Sequence, residues 1–137
     1  METIILFIFL LLCSIWDWKT RTIPVWLCIS TATMILLCDC FAREISLEKM
    51  GTGILVGIFL LFVGKITRGQ IGLGDGIAFL VIGMAMGGKE SLFLLVESLC
   101  ILFCFCLVGL LIGKIKMKQK LPFLPFVFIA YVIHLFL

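Results

Sequence analysis

Two aspartates, Asp17 and Asp75, stand where hydrophobic sequence meets polar sequence. Asp17 closes the first apolar run and Asp75 opens the fourth. A carboxylate at the centre of a bilayer-spanning helix costs ~2.5–3.5 kcal/mol on insertion scales. An acid at the edge of such a run is therefore either a solvated anchor or a working group. Two carboxylates in one site form an acid–base pair, because like charges so close cannot both ionise. The ionised member can take a proton from water, and the protonated member can donate to the oxygen of a peptide carbonyl. Such a pair titrates as a unit, so the sequence does not separate base from acid. Asp75 follows Gly72-Leu73-Gly74, whose glycines remove bulk and let backbone bend or a substrate strand approach. Asp17 precedes Lys19, Arg21, Ile23 and Pro24. Pro24 suits the first turn of a following helix, where its missing N–H costs nothing. That makes the first connection short and stiff, holding Asp17 near the membrane surface.

The elements that must position these acids are membrane helices. Of 137 residues, 64% are hydrophobic and 14% charged, with a mean hydropathy of +1.33. A soluble domain lies nearer half apolar, so lipid must solvate much of this chain. The length suits one domain, 1–137. Polar breaks leave six apolar segments: Ile4–Trp16, Val25–Cys40, Gly53–Ile66, Ile77–Met86, Leu92–Ile112 and Phe123–Leu137. The expected fold is all-α, a polytopic membrane protein of about six transmembrane helices. Only the fifth segment reaches the ~20 residues a full crossing wants, so the flanks of the short first and fourth should complete theirs. The first run has no basic residues before it and no small-x-small cleavage site after it, so it is a membrane segment rather than a signal peptide.

Basic residues orient the helices. Lys19, Arg21, Lys65, Arg68, Lys114, Lys116, Lys118 and Lys120 fall in the odd connections, and Arg43, Lys49 and Lys89 in the even ones. The positive-inside rule puts the odd connections, and with them both aspartates, at the cytoplasmic face, with both termini outside. Glu44, Glu48 and Glu90 are interleaved with the outer basic residues. The stretch Lys114–Lys120 suits orientation and contact with anionic headgroups; no soluble domain accompanies it, which argues against nucleic acid as a partner. Gly53 with Gly57, Gly83 with Gly87 and Gly109 with Gly113 have the spacing of close helix packing in lipid.

Seven cysteines, at 13, 28, 38, 40, 100, 104 and 106, lie in apolar runs without CxxC spacing, as small packing residues do. No histidine–cysteine pattern suggests a metal, no cofactor is implied, and His134 has no catalytic serine partner. Glu97, within the fifth segment, is expected to make a helix or headgroup contact, and Asp39 to be solvated.

Asp17-Trp-Lys-Thr-Arg-Thr-Ile-Pro24 resembles the first active-site motif of type IV prepilin peptidases. Gly72-Leu-Gly-Asp75 resembles their second, the GxGD motif shared with presenilin and signal peptide peptidase. Lys120-Leu-Pro-Phe-Leu-Pro-Phe126 is similar to the start of the family's last helix. The resemblance spans nearly the whole chain. It implies an aspartic endopeptidase that trims pilin or pseudopilin precursors at the cytoplasmic edge of a prokaryotic plasma membrane. The cut follows a short basic leader, usually after glycine, and Asp17 and Asp75 are the catalytic pair. Val25 stands where the family usually has Asn, and Ile77 where a lysine is frequent. The chain lacks the CxxC-bearing insert of larger members, which also N-methylate the trimmed pilin, and is similar to the short, peptidase-only form found with Flp/Tad-type pili. Two other readings differ in their demands. A small transporter wants ionisable residues near the midplane, and Asp17, Asp75 and Glu97 are not so arranged. A non-catalytic subunit of a secretion or pilus machine has no need of two acids.

Overall fold

Backbone in lipid must satisfy its own polar groups, and a helix does so within one segment. The computed structural model describes residues 1–43, 46–69, 72–116 and 121–137, and these form helices with no strand among them. The helices are α1 (Glu2–Thr20), α2 (Val25–Ala42), α3 (Leu47–Ile66), α4 (Leu73–Met86), α5 (Gly88–Ile112) and α6 (Leu124–Phe136). Glu44, Lys118 and Lys120 lie outside the described residues.

α1, α2, α3 and α5 are long and apolar enough to cross a membrane. α1 gains its length from both flanks, as expected. α4 grows only to 14 residues, because Gly87, at φ 88°, turns the chain directly into α5. At 1.5 Å per residue α4 rises ~21 Å, short of a hydrocarbon core of ~30 Å. α6, at 13 residues, is also short.

Helices consecutive in sequence alternate in direction. One end of the bundle gathers the C-terminus of α1 and the N-termini of α4 and α6. At the other end Tyr131 Oη donates to the Thr3 carbonyl at 3.1 Å, joining α6 to α1. α4 is the hub, packing on α1, α2, α3 and α5. It is apolar all round, as a fully surrounded helix should be, and buries Ala78, Phe79, Val81, Ile82 and Ala85.

The α3–α4 contact is the most extensive in the protein, and glycine makes it possible. A Cβ on Gly53 would overlap the backbone of Gly83, and one on Gly83 the backbone of Gly53; a Cβ on Gly57 would overlap Leu80. These three do the close packing that their spacing suggests. Gly113 does not: it has φ 76°, a Cβ there would meet nothing within 4 Å, and it ends α5, whereas Gly87, at φ 88°, both ends α4 and packs closely, since a Cβ there would meet Lys49 Cγ of α3 at 2.8 Å. A left-handed terminal residue is where glycine is cheapest.

Asp39 corrects an expectation. It is 7% exposed rather than solvated. Leu27, Thr31, Ile35 and Asp39 form an i, i+4 stripe, all buried, so the helical period carries the acid inward, beside Glu2 of α1. Lys49 of α3 pairs with the same Glu2 at 3.3 Å. Glu97 makes a helix-to-helix contact: its Oε2 lies 4.0 Å from His134 Nδ1, whose Nε2 is 3.1 Å from Glu90. Outward, every long helix shows lipid-type side chains, such as Phe7, Trp26, Phe59 and Phe103.

Candidate active site

Asp17 is placed by the register of α1. Leu6, Leu10, Cys13 and Asp17 recur at i, i+4, i+7 and i+11, and all four are buried. The apolar stripe that seats α1 thus ends on a carboxylate, 6% exposed. The helix stops a turn later. Arg21 adopts a left-handed conformation, φ 53°, and its N–H donates to the Asp17 carbonyl at 2.9 Å. Thr20 Oγ1 donates to the Trp16 carbonyl at 2.9 Å, and Thr22 Oγ1 to Thr20 Oγ1 at 3.1 Å. The first connection is therefore tied to the helix it leaves. Pro24 stands one residue earlier than expected, as the N-cap of α2 (φ −72°, ψ 113°). Its carbonyl accepts the first helical bonds, from Leu27 at 3.1 Å and Cys28 at 3.4 Å.

Asp75 is the third residue of α4, after the N-cap Gly72. Its own N–H donates to the Gly72 carbonyl at 3.1 Å, and its side chain folds back over that glycine. A Cβ on Gly72 would sit 2.9 Å from Asp75 Oδ2. The second glycine has a different neighbour: a Cβ on Gly74 would meet Ile23 Cδ1 at 2.8 Å. Gly72 makes room for the acid, and Gly74 makes room for the connection that follows Asp17. Gly72 has an ordinary φ of −61°, so close approach, not backbone freedom, is what these glycines provide.

Both acids lie at the same end of the bundle, close enough for the charge of Asp17 to act on Asp75. Asp75 is half-buried and Gly72 and Leu73 are exposed, so water reaches the pair from the loop side. Glu97, Asp39 and His134 belong to the opposite end or to its approaches and do not join them. Among the described residues no three His, Cys, Asp or Glu side chains cluster as metal ligands.

Two features of the site were not read from the sequence. The Leu124 N–H, at the start of α6, donates to Asp17 Oδ2 at 3.2 Å in a buried contact. The prolines flanking that position, Pro122 and Pro125, are the signal that marked a special helix start. Behind Asp17, Cys13 of α1 lies beside Cys28 of α2. Both cysteines are buried, and nothing in their 15-residue separation in sequence suggests that they meet.

Fold and site together define a helical membrane protein with a pair of carboxylates at one end of its bundle. The family model of the type IV leader peptidase family matches residues 4–137, and the chain belongs to that family. It is accordingly a peptidase, with a protein as substrate. Neither a curated protein nor a solved structure shows a significant match to the chain.

Proposed function

We propose that this protein is a membrane aspartic endopeptidase that removes the leader of type IV pilin-like precursors, with Asp17 and Asp75 as the catalytic dyad. The observation that carries the reading is the convergence of these two acids, 58 residues apart in sequence (75 − 17), at one end of a helical bundle whose whole length matches the leader peptidase family. The ionised aspartate takes a proton from water as the oxygen attacks the scissile carbonyl carbon. The protonated aspartate gives its proton to the carbonyl oxygen. Collapse of the resulting diol breaks the C–N bond, a proton passes to the leaving nitrogen, and the dyad returns to its starting state. The products are a leader with a new carboxylate and a mature pilin with a new N-terminal amine. The single domain 1–137 lies in the plasma membrane of a prokaryote with both termini outside. The active site faces the cytoplasm, a reading that rests on the basic residues of the odd connections.

The test is cleavage by Asp17→Asn and Asp75→Asn in membranes containing normal amounts of protein. Asn keeps the shape of Asp but cannot exchange the proton, so each variant should be inactive. The double variant should be no worse than either, because the two act as a unit. Asp39→Asn and Glu97→Gln should keep most activity. Substantial cleavage by either single dyad variant would falsify that residue's assignment.

A further inference from the structure

A helix leaves its first amides without intrahelical acceptors, and a Ser, Thr, Asp or Asn at the N-cap usually takes one of them. α6 has Phe123 there and no side-chain cap of its own. Pro125 has no N–H to offer. The N–H groups of Phe126 and Val127 donate to the Phe123 carbonyl, at 3.0 and 3.2 Å. The Leu124 amide remains, and it donates to Asp17 Oδ2. Asp17 is thus the cap of α6, supplied from α1 across 107 residues of sequence.

That contact does more for Asp17 than for α6. A carboxylate on a flexible side chain can turn about its last bond. A buried donor on one oxygen fixes the plane of the group and leaves the second oxygen for other partners. Pro122 and Pro125 fix φ on either side of the donor, so the amide is itself held. We propose that the Leu124 backbone amide is a positioning group of the peptidase, holding one oxygen of Asp17 so that the other meets the attacking water beside Asp75. This rests on the dyad reading above. A misplacement of ~1 Å at a reacting group can cost ~10²-fold in rate, so the amide's contribution belongs in kcat. Leu124's side chain, fully buried in the core, serves packing.

The test deletes the amide and keeps the side chain. Full-length protein is made by cell-free translation into lipid nanodiscs with the α-hydroxy analogue of leucine at position 124, replacing the N–H by an ester oxygen. The control is the α-hydroxy analogue of phenylalanine at 126, which removes an amide that bonds the Phe123 carbonyl and not Asp17. The substrate is a precursor peptide with a short basic leader, a glycine and an apolar helix. The ester at 124 should lower kcat by about 10²-fold with KM within about threefold of the unmodified protein, and the ester at 126 should leave both nearly unchanged. If kcat at 124 stays within about threefold while Asp17→Asn is inactive, the positioning role is wrong and the dyad stands. Equal losses from both esters overturn the proposal by tracing the effect to the backbone of α6. A raised KM with intact kcat overturns it in favour of a substrate contact. Cleavage by Asp17→Asn removes the dyad reading itself, and this role with it.

Discussion

Gly72→Ala separates the fold from the chemistry. Gly72 is exposed at the head of α4, with φ −61° and ψ 124°, a conformation open to any residue. The new methyl group meets no backbone. It meets Asp75 Oδ2 at 2.9 Å and Cγ at 3.4 Å. Ordinary van der Waals contact begins near 3.4 Å, so the oxygen must retreat by ~0.5 Å, which the terminal bond of Asp75 allows. The fold therefore loses little, while a reacting group moves. If ~1 Å costs ~10²-fold, half of that costs ~10-fold. Steady-state cleavage of a precursor peptide in detergent should show kcat lower by about tenfold, with KM, membrane abundance and thermal midpoint unchanged. A kcat within twofold of the parent's would refute the role given to Gly72. An equally active but poorly accumulating protein would show that the glycine serves folding instead.

Other expectations follow from the same geometry. Gly83→Ala should lower the melting temperature in detergent by several degrees, because its methyl overlaps the Gly53 backbone and helices must part, at a cost of ~1–3 kcal/mol; Gly51→Ala, which meets nothing within 4 Å, should be neutral. In a variant whose other five cysteines are serine, a membrane-permeable oxidant should join Cys13 to Cys28 within one chain, read as the loss of both free thiols. Thiols that stay free after full exposure to oxidant would contradict the α1–α2 packing described. A phosphatase fused after Leu137 should be active outside the cell; an inactive phosphatase with a working cytoplasmic reporter at the same place would invert the topology.

The six helices were legible because lipid enforces a simple rule: apolar runs bounded by polar breaks must be helical. Their ends were less so. The fourth apolar segment reads from Ile77, yet α4 begins at Leu73, because Gly72-Leu-Gly-Asp has a helix-starting geometry that hydropathy does not register. Asp17 and Asp75 stood out as ionisable residues in a hydrophobic chain. Their nearness was expected from the family resemblance and from the shared face of the odd connections, not from hydropathy, since proximity between α1 and α4 is a property of packing. Asp39 shows the converse failure. Its position near the end of an apolar run suggested water, and only the period shared with Leu27, Thr31 and Ile35 could have told that it faces α1. Spacing alone also misassigned Gly113, which meets no neighbouring helix, since GxxxG does not distinguish a glycine that packs from one that only ends a helix.

The two helices that carry the acids touch each other only over a small area. The separation of Asp17 from Asp75 is therefore not set by an α1–α4 interface. α2 packs on both α1 and α4, and on the other side α6 packs on α1 while α5 packs on α4 and α6. The connection between α1 and α2 reaches α4 directly through Ile23 against Gly74, and α6 reaches Asp17 directly through the Leu124 amide. Each acid is thus located by contacts that come from a third element.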